Sequence, residues 1–339
     1  MTDATPESGA DLLLPELLEP RISETIFAGG LHYFASIGST NAAAMQAGAE
    51  RWARSSQLSE QQSQDPRPHP SKGSLDGAPA SQYAAHGANQ GEVWLAEEQT
   101  AGKGRAGHTW QSRPRDGIYL SALLWPRLAP VEAPILSLAA GLAVVEAVHE
   151  VTGLWGDLRW PNDVLLGEKK ICGILAELSA GVSGDVSGGV SGGGSGGVSG
   201  DVERVRYVVV GIGLNVNNEH FPPPLEAIAT SLRLELGRRV SRLELVAALL
   251  RGLDRELRAF EAPSAKGGQP RGSDGLAAAR GNILRRFERH SSYCSGAAVT
   301  VEEDGGYQGT TRGLDESGFL RVETARGMRT VLSGGVRKR

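Results

Sequence analysis

The chain has 339 residues, of which 40% are hydrophobic and 22% charged, a composition typical of a folded globular protein with room for two domains. Its net charge of −4 excludes a general attraction to nucleic acid or to anionic membranes, so any anion binding must be local. The two cysteines, Cys172 and Cys294, lie far apart and predict neither a disulfide framework nor a metal cluster, so we expect both to be structural. No run has the length of a membrane span and the acidic N-terminus lacks a basic signal region, which predicts a cytoplasmic protein.

In the N-terminal half, predicted strands and helices alternate around one segment of low complexity. The predicted strands lie at 32–37, 93–97 and 118–125, and the predicted helices lie at 42–54 and 131–151. Residues 1–26 are expected to form a flexible segment, and 55–91, rich in Gln, Ser, Pro and Gly, a disordered insertion. This half therefore predicts a sheet with flanking helices that is interrupted at one connection.

The C-terminal half continues this pattern and ends in short strands. Strands are predicted within 158–166, at 169–178 and at 204–215, and helices at 227–236, 242–261 and 276–289. A Val-Ser-Gly repeat at 180–201 predicts a second disordered insertion, and 262–275 predicts a linker. Further short strands, predicted at 297–301, 310–314, 319–323 and 330–332, suggest a small barrel. We therefore expect a main domain at 27–261, and a C-terminal helix and barrel at 276–339.

The most informative stretch is the glycine-rich loop Gly102–Trp110, which lies between two predicted strands. Its glycines allow close approach of the backbone to a ligand, and Lys103, Arg105 and His108 supply groups suited to an anion. The stretch also matches G-x-G-x-x-G, but a dinucleotide site needs a helix directly after it, and Pro114 follows instead. The loop therefore predicts an anion site, with an ordinary glycine-rich surface loop as the alternative.

Three further groups of polar residues stand at predicted strand ends. Ser39 and Thr40 lie at a strand-to-helix turn, where their hydroxyls either face a ligand or simply cap the helix. Pro161 predicts a turn that presents Asn162 and Asp163, and that Asp either holds a metal or forms an Asx-turn. Lys169 and Lys170 open an apolar strand, and Asn215 closes another. Side chains alternate between the two faces of a strand, and in one of the two possible arrangements a lysine points toward the ligand face. The alternative is that both lysines are solvated.

Together these groups are suited to attack of a carboxylate on the α-phosphate of a nucleoside triphosphate, because cations must stabilise the charge of the transferring phosphoryl group and of pyrophosphate. Outside the Val-Ser-Gly repeat the sequence contains no nucleophile elbow, and it contains no C-x-x-C and no H-E-x-x-H, so covalent and zinc mechanisms have no support.

The same motifs, in this order, resemble those of the biotin protein ligases. They are Ser39-Thr-Asn41, Gly102–Trp110, Arg159-Trp-Pro-Asn-Asp163, Lys169-Lys-Ile-Cys-Gly-Ile-Leu175 with Glu177, and Gly211–Val216. The resemblance implies an α+β fold, in which a central mixed sheet with flanking helices, of the class II aminoacyl-tRNA synthetase and biotin ligase type, precedes a small SH3-like barrel. Because residues 1–26 are too few for a three-helix DNA-binding domain, the resemblance points to the monofunctional type of ligase, which lacks that domain.

The resemblance also implies an activity. Such an enzyme makes biotinyl-5′-AMP from biotin and ATP with Mg²⁺, and transfers biotin to one lysine of a biotin carboxyl carrier domain of acetyl-CoA carboxylase or a related carboxylase. It implies no DNA or membrane partner and allows a homodimer. A lipoate–protein ligase and a non-catalytic biotin-binding regulator are the alternatives.

Carried over residue by residue, the resemblance implies catalytic roles for Lys170 and Arg105. It implies that biotin is bound by Ser39, Thr40, Asn41, Gln99, Gly102, Arg105, Gly107, Lys170 and Gly173. It implies that ATP is bound by Arg105, His108, Trp110, Asn162, Asp163, Lys170 and Asn215, with Asp163 as the candidate Mg²⁺ ligand. The chain departs from the family at Lys103, Ala106 and His108, where arginine is common, and Arg339 corresponds to a terminal arginine of the family.

Overall fold

The computed structural model describes residues 11–63, 91–126, 128–182, 203–261 and 273–339. Its largest element is a seven-stranded sheet of order β1-β2-β3-β7-β6-β5-β4. The strands are β1 Leu31–Phe34, β2 Glu92–Ala96, β3 Gly117–Leu124, β4 Asp157–Arg159, β5 Asp163–Leu166, β6 Lys169–Val182 and β7 Glu203–Asn215. β1 runs parallel to β2, and the other neighbouring pairs are antiparallel. The predicted mixed sheet is confirmed.

Helices cover both faces of this sheet. They are α1 Pro15–Ile22, α2 Thr40–Ser63, α3 Pro134–Thr152, α4 Pro223–Glu226, α5 Leu232–Leu236, α6 Arg242–Glu261 and α7 Ser273–Arg289. α3 and α6 pack together against one face, and α2 packs against β2, β3 and β7 on the other. α2 begins at Thr40, so the sheet beyond its N-terminus is left uncovered by that helix.

The strand β7 shows how the sequence divides the two faces. Val208, Val210 and Ile212 belong to the main core beneath α3, whereas Val209 packs in a second cluster beneath α2. Because side chains alternate along a strand, Gly211 and Gly213 continue the face of Val209 past the start of α2. At these two positions the face therefore carries no side chain, which leaves room above it.

Helix α3 with the turn before it, Pro130–Thr152, is long and apolar enough to cross a membrane, with a mean hydropathy of 1.8 over its most apolar window. The expectation that no run of this length exists is therefore wrong. Because 72% of that window is buried inside the protein, the apolar composition is explained by a central position in the core.

The C-terminal region forms a second, antiparallel sheet of order β11-β10-β9-β8-β12, as expected for a small barrel. Its strands are β8 Ser295–Val301, β9 Tyr307–Leu314, β10 Leu320–Thr324, β11 Gly327–Val331 and β12 Val336–Lys338. The first four correspond to predicted strands, and β12 was not predicted. The barrel shares the main hydrophobic core, and Trp160 of the large sheet donates a hydrogen bond to the Gly318 carbonyl at 2.9 Å.

The N-terminal segment differs from the expectation of flexibility. Leu13, Leu18, Ile22 and Phe27 are buried, and α1 packs against α6. The acidic and proline residues that favoured disorder lie between these apolar side chains, which together form one buried face. Residues 11–26 are therefore part of the core, and 1–10 lie outside the described residues.

The structure also differs from the predicted bounds of the two insertions and of one helix. α2 continues to Ser63, so 55–63 is helical and only 64–90 of the first insertion lies outside the description. β6 continues to Val182 and β7 begins at Glu203. Residues 183–202 and 262–272 lie outside the described residues. Of the helix predicted over 227–236 only Leu232–Leu236 is helical, as α5, because Ser231 accepts a hydrogen bond from the Leu234 amide and starts the helix there. The short helix α4 lies before the predicted range.

Candidate active site

A cavity lies on the sheet face at the N-terminus of α2, beneath the glycine-rich loop that connects β2 to β3. It brings together nine of the sequence-predicted site residues, which come from four separate segments. They are Ser39, Thr40, Asn41, Gln99, Arg105, Trp110, Asn162, Lys170 and Gly173. Segments more than a hundred residues apart in the chain therefore meet at one place.

One side of the cavity is built from neutral polar groups. The Gln99 Oε1 atom accepts hydrogen bonds from the Thr40 amide at 2.9 Å and from the Thr40 hydroxyl at 3.1 Å. The Gln99 Nε2 group donates to Ser112 Oγ at 3.0 Å. These bonds join the start of α2 to both ends of the loop, so the polar side is held in place before a ligand arrives.

Asn41 lies deeper on the same side. Its Nδ2 group donates to Glu177 Oε2 at 2.8 Å, and its Oδ1 atom lies 2.5 Å from the hydroxyl oxygen of Ser121. A Cβ atom on Gly211 would lie 2.0 Å from this same Oδ1 atom, so the glycine is required for Asn41 to occupy its position. Ser121 was not singled out in the sequence, although it is the polar residue of an otherwise apolar strand, and that signal identifies it.

The other side of the cavity is cationic. Arg105 Nη1 donates to Asn162 Oδ1 at 3.1 Å, and Lys170 Nζ lies 2.5 Å from Asp163 Oδ1. Since Asn162 and Asp163 are consecutive, the two cations converge on one turn. Burial lowers the pKa of the Arg105 guanidinium, and the nearby Asp163 carboxylate opposes that shift. An arginine remains charged at neutral pH under such a shift, so Arg105 is a cation there.

The orientation of Lys170 results from a β-bulge. Simple alternation would place Lys170 on the face of Cys172, which lies in the core, but the register of β5 and β6 shifts between Val164 and Leu165. This shift brings Lys170 to the side of Gly173, since a Cβ on that glycine would lie 2.9 Å from Lys170 Nζ. Lys169 is exposed and donates to the Glu226 carbonyl at 3.1 Å instead.

Trp110 lies between the two sides of the cavity. Its indole rests over Gly173 and Gly213, and a Cβ on Gly213 would lie 2.4 Å from the Trp110 Cε2 atom. Lys170 Nζ is 5.4 Å from the centroid of the ring. The indole Nε1 group is buried and has no hydrogen-bond partner among the described residues, so it is available to an acceptor on a ligand.

Both oxygens of the Asp163 carboxylate lie next to cations. Its Oδ2 atom is 2.5 Å from Arg159 Nη2, and its Oδ1 atom is paired with Lys170. Among the described residues there is also no group of three or more His, Cys, Asp or Glu residues placed to hold a metal. The role of Asp163 as a Mg²⁺ ligand stays a prediction, and in this structure the carboxylate orients two cations.

Besides Asp163, four predicted site residues do not line the cavity. The Gly102 carbonyl accepts the Trp110 amide at 2.9 Å, which helps to close the loop on itself. Gly107 has a φ of +78° at the loop tip, a conformation that favours glycine, and His108 beside it is exposed. Asn215 is buried at the end of β7 and donates to the Thr230 carbonyl at 3.1 Å.

The sequence of this chain is similar to two known family profiles. Residues 81–194 match the "Biotin/lipoate A/B protein ligase family", and residues 294–339 match the "Biotin protein ligase C terminal domain". The "Biotin--[acetyl-CoA-carboxylase] ligase" of Mycobacterium tuberculosis is 34% identical over 260 residues, which cover 74% of this chain and 80% of that protein. The chain belongs to the biotin protein ligase family.

Other biotin protein ligases agree with this assignment in sequence and in structure. The "Bifunctional ligase/repressor BirA" of Bacillus subtilis (strain 168) is 30% identical over 262 residues, which cover 76% of this chain and 69% of that protein. The biotin protein ligase from Aquifex aeolicus, solved in complex with biotin and ATP, superposes with a TM-score of 0.56 at 26% identity. The match covers 92% of this chain and 99% of that one.

Proposed function

We propose that this biotin protein ligase attaches biotin to a specific lysine of a biotin carboxyl carrier domain, in two steps and at the expense of ATP. The names of relatives support the reaction, and the Aquifex structure supports biotin and ATP as the substrates. Both substrates are anions, and the cavity is lined by three cationic residues, Lys103, Arg105 and Lys170, as well as by a neutral polar side. We expect the enzyme to work in the cytoplasm, where ATP and newly made carboxylase are present.

In the first step, one carboxylate oxygen of biotin attacks the α-phosphorus of ATP. The bond from that phosphorus to the bridging oxygen breaks, pyrophosphate leaves, and biotinyl-5′-AMP remains. Two anions must approach each other, and Lys170 is placed to lower their repulsion because a compact cation interacts with both. Asp163, itself held by Arg159, fixes the ammonium group of Lys170.

The remaining cavity residues have binding roles in this proposal. Ser39, Thr40 and Gln99 hold the uncharged ring system of biotin by hydrogen bonds, and Trp110 packs against the adenylate. Arg105 belongs to the loop and reaches across to Asn162, so it restrains the adenylate beneath the loop. Asp163 is the residue that would hold Mg²⁺, which would supply neutralisation of charge on the phosphates of ATP.

In the second step, the neutral amine of the acceptor lysine attacks the acyl carbon of the mixed anhydride. An amide forms, AMP leaves with the electron pair of the broken C–O bond, and the amine releases a proton. The loop delays hydrolysis of the anhydride until the acceptor arrives, because it covers the cavity on the solvent side.

The observation that carries this proposal is the convergence of Arg105 and Lys170 on the Asn162–Asp163 turn, opposite Thr40 and Gln99. A cavity with cations on one side and neutral hydrogen-bonding groups on the other is suited to a molecule with a carboxylate at one end and a neutral polar ring at the other. The C-terminal domain match at 294–339 favours biotin over lipoate, since that profile is named for biotin protein ligases.

The test measures pyrophosphate release from ATP after addition of biotin or of lipoate, followed by transfer of labelled biotin to a recombinant carboxyl carrier domain. We expect pyrophosphate release with biotin and none with lipoate, and labelling of one lysine of the carrier domain. Release with lipoate would identify a lipoate–protein ligase, and biotin binding without release would identify a non-catalytic regulator.

A further inference from the structure

One buried arginine contacts both ends of the glycine-rich loop. The loop leaves β2 at Glu97 and enters β3 at Gly117. Arg242, the first residue of α6, donates from Nη1 to Glu97 Oε2 at 2.6 Å and to the Gly117 carbonyl at 3.3 Å. A single guanidinium nitrogen therefore bridges the two strands at the point where the loop begins and ends.

The contact between Arg242 and Glu97 is buried. Arg242 is fully buried and Glu97 is 3% exposed. The second carboxylate oxygen of Glu97 accepts the Leu13 amide at 3.0 Å, and Arg242 Nε lies 3.2 Å from Asp11 Oδ2. A charge-assisted pair with both partners occupied has few alternative geometries, because each alternative leaves a buried charge unpaired.

The contact is connected to the cavity through the loop and does not touch the cavity itself. Gln99, two residues after Glu97, makes the hydrogen bonds to Thr40, and the Glu97 carbonyl accepts the Arg115 amide from the other arm of the loop at 3.1 Å. Arg115 has a φ of +62°, a conformation that non-glycine residues adopt only when their surroundings require it. The base of the loop is thus held in one defined arrangement.

We infer that Arg242 is a positioning residue for the ligase reaction: by fixing Glu97 and Gly117 it sets the closed position of the loop that carries Gln99, Arg105 and Trp110. Through Asp11 the same guanidinium makes the position of the loop depend on the N-terminal segment. This inference rests on the proposed function, because it assigns the loop to the retention of biotinyl-AMP.

Removal of a buried ion pair also weakens a protein in general, so a matched control is needed. Arg286 of α7 provides one, because it pairs with Glu256 of α6 at 2.7 Å and with Glu146 of α3 at 2.5 Å. Arg286→Lys and Arg242→Lys both keep the positive charge and remove the planar fork of donors. Neither partner of Arg286 lies in the loop or lines the cavity.

The experiment compares the two variants with the wild type at a temperature where circular dichroism shows each to be folded. For Arg242→Lys we expect the KM for biotin and the rate of biotinyl-AMP release each to rise about tenfold or more, because small misplacements of binding groups have effects of this size. We also expect faster tryptic cleavage after Lys103, Arg105 and Arg115 in the absence of ligand. Arg286→Lys should match the wild type in all three measurements.

Equal behaviour of the two variants would overturn the inference, since the effect would then be one of general stability. If Arg242→Lys does not fold, Glu97→Gln replaces it, because the amide keeps the shape of the partner and removes its charge; unchanged adenylate release and loop cleavage in that variant would again overturn the inference. If the wild type forms no biotinyl-AMP, the proposed function fails instead, and the tryptic cleavage still tests the placement of the loop.

Discussion

Adjacent lysines have opposite environments in this site. Lys170 points into the cavity and pairs with Asp163, whereas Lys169 is exposed and bonds the Glu226 carbonyl. The sequence motif identifies the pair, but alternation predicts the wrong face for Lys170, because a bulge between paired strands is not visible in a hydrophobic pattern. The choice between the two lysines therefore depends on the register of β5 and β6.

Lys170→Ala should lower the rate of adenylate formation by about 100-fold or more, the cost of losing one preorganised charge at a developing anion. Pyrophosphate release measures this rate. Lys169→Ala is the matched control and should retain nearly full activity. Similar losses in the two variants would contradict the assigned orientation.

Arg105→Ala should affect a different quantity. Because this guanidinium reaches the cavity from the loop, we expect biotinyl-AMP to form at a modestly reduced rate and to dissociate several-fold faster. Adenylate retention is measured by gel filtration after a single turnover with labelled biotin. If Arg105→Ala and Lys170→Ala have the same pattern of defects, their roles are not separate.

Gly213 permits the observed position of Trp110, because a Cβ there would lie 2.4 Å from the indole. Gly213→Ala should displace the ring and weaken adenylate binding by about tenfold or more, equivalent to about 1.4 kcal/mol. The change in tryptophan fluorescence on addition of biotin and ATP should shrink in parallel. Gly281→Ala, on α7 with a single contact from a flexible arginine, is the control and should leave both signals unchanged.

At the scale of elements, the sequence locates most strands and helices of the large sheet, because buried strands and amphipathic helices have different periods. α6 matches its predicted bounds, and β2 and β3 begin and end one residue from theirs. The failures have local causes. Ser231 caps α5 and so shortens one predicted helix to its last five residues, and β12 is too short to show a pattern.

The expectation of a flexible N-terminal segment failed at α1 for a different reason. Its composition is polar and rich in proline, yet Leu18 and Ile22 are buried against α6. Local composition does not show whether a few leucines find a partner elsewhere in the chain, since that depends on tertiary packing. The Asp11 contact to Arg242 adds a second, charged attachment for this segment.

Leu18→Ala should therefore lower the free energy of unfolding by about 2–5 kcal/mol, the usual cost of a large-to-small change in a core. Chemical denaturation followed by circular dichroism measures this quantity. Glu16→Ala changes an exposed residue of the same helix and should shift the free energy by less than about 0.5 kcal/mol. Equal and small effects would mean that the segment behaves as a flexible tail in solution.

At the scale of the whole molecule, the site depends on contacts that no local pattern contains. The segments with Thr40, Gln99, Asn162 and Lys170 meet only because the strand order places β3, β7 and β6 side by side near the start of α2. Their convergence was inferred from the order of the motifs, by resemblance, and not from periodicity. The predicted division into a main domain and a separate barrel does not show that the two share one hydrophobic core, which includes residues of both.

The two cysteines test this continuity of the core. Cys172 lies in the large sheet beside the cavity and Cys294 lies at the start of the barrel, and both belong to the same hydrophobic cluster. Burial raises the pKa of both thiols, that of Cys294 to about 12, so at pH 8 neither is a thiolate in the folded protein. Labelling by a thiol reagent therefore requires an opening of the structure.

Biotin binds the folded state, so at a concentration of 100 times its dissociation constant it should stabilise that state by about 2.7 kcal/mol, which lowers the unfolded population about 100-fold. If the sheet and the barrel open together, the labelling rates of Cys172 and Cys294 fall by the same factor when biotin is added. Mass spectrometry of tryptic peptides separates the two rates. A barrel that opens on its own would leave the labelling of Cys294 unchanged while that of Cys172 slows, because only the opening of the large sheet is then linked to the ligand.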